Sequence, residues 1–450
     1  MGGNAIPERA MLKGMLAFAA LVAAQFSGMR YLDDGVIRLG VDLDEGGSIT
    51  YLSRKGGDNI VNSCDFGRQI QMSLYSGPVP YTPGGKQPSK DWTEIGWNPI
   101  QTGDCFGHPS RVLDCKTEAD ERGLHPSIYV KCIPMHWPLD NVPGECTYEE
   151  WISLDGDSVI VHDRMVNNRE DKTQYPARGQ ELPAVYTNGV WYRLMSYTGD
   201  APFIHAPLTE LTLNPPKSTF PWVGYHATES WAALVDKDSN GVGIIEPGVV
   251  QFSGGFFGTP GSGGPKDGQT GYIAPNAVEI LDHDITYDYS YFLVVGSLDR
   301  IRQFAYSHVP RPEPPIYLFL SDRQHWSYAN CEDAGWPIKG ELNVKLEKND
   351  PQLVGPLGFW RAKDAPKLTI EAACSLGSPV AQVFWSRSDA PGFAESRTMS
   401  LRLIPDGQYH RYVIDLSESP EYHGVVDQLR FDPEPAGRPG DWIKIRSIAF

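Results

Sequence analysis

A chain of 450 residues, 41% hydrophobic and 11% aromatic, is too long for one small core and too apolar to be disordered. Its net charge of −17 excludes nucleic acid as an expected partner, because phosphate backbones are gripped by basic surfaces. It contains no charge-free apolar run of about 18 residues, so no membrane span is expected.

The chain opens with "ERAMLKGMLAFAALVAAQFSG", where Arg9 and Lys13 precede an apolar run that ends in small residues. Residues 1–29 therefore read as a signal-like or poorly ordered segment. That points to an extracellular or periplasmic protein and leaves the cytoplasm open; a short helix packed on the body is the alternative. From residue 30 to 308, short alternating runs are broken by Gly, Pro, Asn and Asp. "GVIRLGVDLDEGGSITYLS" reads as strand, tight turn, strand. "TYEEWISLDGDSVIVHDRMVN" is a hairpin around Asp155-Gly156-Asp157, residues that tolerate the left-handed backbone of such a turn. "ESWAALVDKDSNGVGIIEP" repeats the arrangement around Asn240-Gly241, and a short helix is expected from about Leu298. This first domain is mostly antiparallel sheet, and its size implies a large sandwich. The Pro-rich stretch 309–315 is the expected linker. Residues 316–450 hold six further alternating stretches, which suits a jelly-roll or similar two-sheet module.

Two stretches carry a resemblance. "GQYHRYVIDLSESPEYHGVVDQLRFDPEPAGRPGDWIKIRSIAF" resembles the closing half of the jelly-roll modules attached to secreted carbohydrate-active enzymes. "GVDLDEGGSITYLSRKGGDNIVN", followed by "DFGRQIQMSLY", resembles the opening of the galactose-mutarotase-like supersandwich domains. Aldose mutarotases share these with several glycosidase and polysaccharide lyase families. The resemblance implies an all-β chain, a supersandwich followed by a jelly roll, that works on sugars. It carries no catalytic residue over.

Motifs for nucleophilic serine, P-loop, zinc-protease or dinucleotide chemistry are missing, which leaves the carboxylates. Cleaving a glycosidic bond takes one group to protonate the leaving oxygen and another to activate water or attack the sugar. The acid works best partly desolvated, among apolar neighbours. Glu181 has that setting in "GQELPAV", with Gln180 beside it. Glu229 shares a strand face with Trp231, Ala233 and Val235, with His226 three residues upstream. The expected pair is Glu181 as acid and Glu229 as base or nucleophile. Arg68, Gln71 and Tyr75 are expected to grip hydroxyls, and Trp97, His108, His136, Trp137 and Trp231 to shape sugar subsites. The Gly-rich "GGFFGTPGSGGPKDGQTG" reads as a mobile loop near the cleft.

Two alternatives stay open. Asn168, Arg169, His136 and Tyr186 could instead serve a lyase, which neutralises a uronate and removes its C5 proton. A non-catalytic carbohydrate-binding protein would keep the aromatics without a carboxylate pair. No cofactor is expected. The Asp-rich turns "DLDEGG" and "VDKDSNG" could hold a structural calcium, but neither has EF-hand spacing, and turn capping explains both. The expected partner is a poly- or oligosaccharide, and the oligomeric state is open.

Overall fold

The computed structural model describes residues 26–119, 125–212 and 222–450. The signal-like reading falls mainly on residues 1–25, outside the described residues. Elsewhere the fold is nearly all β, in four antiparallel sheets.

The first two sheets make a large sandwich. One has ten strands. Its path runs through Met29–Asp33, Ile37–Asp42, Ser48–Arg54, Ile70–Ser73, Arg178–Asn188, Thr270–Glu279, Gln251–Phe257 and Val223–His226, with Pro99–Ile100 and Met135–His136 attached at its side. The other has nine strands and includes Trp231–Val235, Asn240–Ile245, Thr286–Ser297, Ser158–Asn167 and Cys146–Asp155. Period-2 alternation decides what lies between them. In Cys146–Asp155, the side chains of Cys146, Tyr148, Ile152 and Leu154 are buried in the core while Thr147, Glu149, Trp151 and Ser153 face outward. Two acids interrupt this apolar pattern. Glu150 and Asp163 stand directly opposite each other on adjacent strands, both buried. Burial and, for Glu150, the charge of Asp163 push both carboxyls up, Asp163 to about 8.

The Asp155-Gly156-Asp157 hairpin forms as its sequence predicts, with Gly156 at φ 61. The second hairpin turns earlier than expected. Its turn is Asp236–Ser239, with Ser239 at φ 62, and Asn240-Gly241 already lies in the returning strand. The Asp236 carboxylate sets this turn by accepting from the backbone N–H groups of Asp238 and Asn240. A side chain at Gly241 would meet the Leu234 carbonyl oxygen at 2.0 Å, so close strand approach, not turn geometry, calls for that glycine. Asp42 likewise caps its own turn, accepting from Asp44 N–H at 3.0 Å. The helix Leu298–His308 follows where expected and covers the outer face of the nine-stranded sheet, its Ile301, Phe304 and Ala305 packing on Trp231, Ala233 and Val235.

The remaining two sheets, six strands each, enclose a separate core between residues 319 and 448. All six alternating stretches read from the sequence there are strands. Polar contacts join the two sandwiches: Gln174 to Asp333 at 2.7 Å, Arg323 to Asp282 at 2.7 Å, and His325 to Glu279. Among the described residues, no helix is long and apolar enough to cross a membrane.

Candidate functional site

The Arg178–Asn188 strand runs through the middle of the ten-stranded sheet, between Ile70–Ser73 and Thr270–Glu279. Glu181 pairs with Asn276, but Val185 pairs with Ile273, so four steps on one strand match three on its neighbour. Pro183 has no N–H to give to the ladder, and the extra residue is taken up there as a bulge. The bulge has a consequence for the site. Glu181 and Tyr186 are an odd number of residues apart and would face opposite ways on a regular strand. Here both face away from the sandwich core, while Leu182 and Val185 face into it.

On that outer face the Glu181 carboxylate is held by two phenols. Tyr75 donates to one oxygen at 2.8 Å and Tyr272 donates to the other. Ser73 donates to the Tyr75 hydroxyl at 3.0 Å. The side-chain amide of Gln180 clasps the Tyr75 backbone, accepting from its N–H at 2.7 Å and donating to its carbonyl at 2.9 Å. Burial, followed by the Glu181 charge, pushes the Tyr75 and Tyr272 phenols well above their usual range. Both therefore remain protonated donors to the carboxylate. Next to them, Tyr186, Tyr272 and Trp222 form an aromatic surface, with ring centroids 4.8 Å apart for Tyr186–Tyr272 and 5.0 Å for Trp222–Tyr272. The Tyr186 phenol is raised by burial, then by the charges of Glu181 and Asp65, with Arg68 opposing.

Arg68 closes one side. It pairs with Asp65 at 3.3 Å and donates to the Gly268 carbonyl at 2.9 Å. The Gly-rich segment is thus fastened to the loop that carries Arg68, and Asn62 holds it again through the Asp267 and Gln269 carbonyls. This is an anchored wall, a correction to its reading as a mobile loop. Trp137 lies over Gly67, where a side chain would meet its ring at 2.6 Å, and Trp92 sits edge-on to it at 5.8 Å.

A second group of expected residues gathers around Glu145. His136 Nε2 and Trp97 Nε1 contact its carboxylate at 3.0 and 3.1 Å, and Tyr81 donates to it as well. Burial works against ionisation of Glu145, but the His136 and Tyr81 contacts outweigh it and hold the carboxyl at about 2. Arg169 lies over the Trp97 ring and spends its guanidinium on the Ser76 hydroxyl and on the carbonyls of Gly77, Asp171 and Thr173. This places His136 and Arg169 in a packed support behind the Tyr75–Ser76 segment.

The pairing of Glu181 with Glu229 does not form. Glu229 lies on the opposite side of the molecule, under the helix, and is fully buried. Arg302 binds both its oxygens at 3.0 and 3.1 Å, and Trp231, Tyr306 and the Phe203 N–H occupy the rest. Trp231 is buried beside it and does not line a cleft. Gln71 is also buried, with its amide spent on Phe66, Arg68 and Thr102 backbone. His108 pairs with Asp104 at 2.9 Å on a loop. His226 lies near Asp427 of the second sandwich, whose raised carboxyl it pulls down against burial. The sequence reading missed Tyr272, Trp222, Ser73 and Glu145. Tyr272 was legible only as one of many alternating strand aromatics.

No protein-family model matches the chain, and no curated protein sequence does. Solved structures do match. A proposed aldose 1-epimerase from Escherichia coli K12 is 12% identical over 60% of this chain and 99% of its own length, with a TM-score of 0.36. The alpha-galactosidase from Lactobacillus brevis is 9% identical over 63% of this chain and 43% of its own, at 0.37. A low-affinity xylan-binding module from Roseburia intestinalis is 13% identical over 30% of this chain and 92% of its own, at 0.23. At these identities and TM-scores they say nothing about what this chain does.

Proposed function

We propose that the outer face of the ten-stranded sheet binds a poly- or oligosaccharide and that Glu181 moves a proton during cleavage of a glycosidic linkage. The observation that carries this reading is the Glu181 carboxylate held between the Tyr75 and Tyr272 phenols, beside the Tyr186–Trp222 surface. Flat aromatic faces suit the apolar face of a sugar ring, with polar tips for its hydroxyls. Both Glu181 oxygens already accept from phenols, so Glu181 takes the base or nucleophile role, not the acid role read from its sequence neighbours.

In a hydrolase the second carboxylate would be Asp65, whose charge and that of Glu181 both act on the Tyr186 phenol. The phenols favour a second reading. Among the described residues Glu181 contacts tyrosines and no other carboxylate, and a lone carboxylate base flanked by neutral phenol donors is equipped to remove a C5 proton in an elimination. Arg68 would then face the uronate. The test is to incubate the purified protein with neutral and uronate-containing glycans, reading reducing ends and the ultraviolet absorbance of unsaturated uronate together. Reducing ends alone support hydrolysis; absorbance rising with them supports elimination. Activity that survives in Glu181→Gln would overturn both.

A further inference from the structure

A cleft of about 1300 Å³ opens where the two sandwiches meet. It exceeds the roughly 300–1,000 Å³ that holds one small ligand. Its floor continues the Glu181 face. Along Thr270–Glu279, Ile273 and Ala277 enter the core, so alternation turns Tyr272, Ala274, Asn276 and Val278 outward. Tyr272 belongs to the aromatic surface, and Asn276 stands directly opposite Glu181. Asn276 and Val278 line the cleft. At about 3.4 Å per residue, this one strand carries the face over about 20 Å from Tyr272 to Val278. The wall at Gly268 stands at its Tyr272 end and the cleft at its Val278 end.

The row through Glu181 also runs across the sheet. Phe252 pairs with Pro275, which brings Gln251 opposite Asn276. Strands lie about 4.8 Å apart, so Gln251 is two steps, about 10 Å, from Glu181. Among the described residues the Gln251 side-chain amide has no hydrogen-bond partner, and it lines the cleft. From the second sandwich, Val354 and Gln428 line the same cleft. Each is next in sequence to a core residue, Leu353 or Leu429, so both stand on the outward face of their sheet. Gln428 donates to the Gly355 carbonyl at 2.8 Å, which leaves its own carbonyl oxygen to accept. Trp336 lies alongside, packed against the core of the first sandwich. Amides that donate and accept, an aromatic ring and an aliphatic side chain suit the hydroxyls and apolar faces of sugar rings.

We infer, on the reading of Glu181 as the group that acts on the linkage, that the second sandwich completes the saccharide site. A chain seated at Glu181 continues over Asn276 and Gln251 into the cleft, where Gln428 and Trp336 hold its further units. The substrate is therefore a chain of several sugars. A disaccharide would occupy the Glu181 face and leave the cleft unused.

The test is steady-state kinetics of the full chain on trimers and hexamers of β-1,4-linked glucose and of galacturonate, with the parent polymers alongside. In the series that is cleaved, the hexamer is expected to exceed the trimer in kcat/KM by about tenfold, the worth of one or two net hydrogen bonds. Gln251→Ala combined with Gln428→Ala should erase that advantage, chiefly through a raised KM for the hexamer. Misfolding cannot imitate this, because it would lower both lengths alike. Equal kcat/KM for trimer and hexamer in the parent protein, or an advantage that survives the double substitution, overturns the role of the second sandwich and leaves the Glu181 reading standing. Cleavage of neither series nor polymer overturns the Glu181 reading and the chain path with it.

Discussion

The two faces of the large sandwich that point away from its core treat a glutamate in opposite ways. On the ten-stranded sheet, Glu181 is half-buried and held by two neutral phenols. On the nine-stranded sheet, Glu229 is fully buried, with Arg302 clamped on both oxygens beneath the helix. Both acids stand among apolar residues in the sequence. What separates them is the covering element. The helix Leu298–His308 brings Arg302 and Tyr306 onto Glu229, while among the described residues no cation pairs with Glu181. A carboxylate clamped by a guanidinium with its lone pairs filled is part of the packing; Glu181 is held by phenols instead.

Four measurements would break or sharpen this contrast. The largest expected effect is on activity: Glu181→Gln should cut turnover by about 10²–10⁴, the usual scale for losing a proton-transfer group, with an unchanged melting temperature. The matching change on the other face should act on stability. Arg302→Met strands a buried carboxylate and should cost about 3–5 kcal/mol by denaturant titration; a loss below about 1 kcal/mol would mean that Glu229 is not held as described.

Third comes the core between the faces. The folded pKa of Asp163 lies above its unfolded value, at about 8 against 3.8. Between those values the native state keeps a proton that the unfolded chain has released, so stability falls as pH rises. Asp163→Asn removes this dependence, and its stability relative to the parent should grow by up to about 1.4 kcal/mol per pH unit across that window. A difference independent of pH would show that Asp163 is ionised in the fold. The smallest effect is expected at the aromatic surface. Tyr186→Ala should cost binding about 0.5–1.5 kcal/mol, seen as a raised KM with little change in kcat. A fall in kcat alone would instead place its hydroxyl in the proton transfer.

The strands were legible because their cause is local. Alternation, Gly and Pro punctuation and the Asp155-Gly156-Asp157 turn belong to neighbouring residues, and the two-sandwich, all-β architecture follows from them. The second hairpin was misplaced because two turn signals competed and the Asp236 cap prevailed over Asn240-Gly241. The candidate site was legible only in part. Glu181, Tyr75 and Tyr186 were named, but the reason that they meet is the bulge at Pro183, which shifts register against a strand some 90 residues away. Glu229 was misjudged because its partner, Arg302, lies 73 residues further on.

The sequence by itself determined the class of fold, the order of its strands and the sort of side chain available for chemistry, since backbone preference and period-2 patterning act over a few residues. Tertiary structure alone decided which carboxylate is clamped by a cation and which is held by phenols. Burial, charge pairing and hydrogen-bond saturation depend on groups brought from distant strands, and those depend on register and on the helix that covers one face and leaves the other without it.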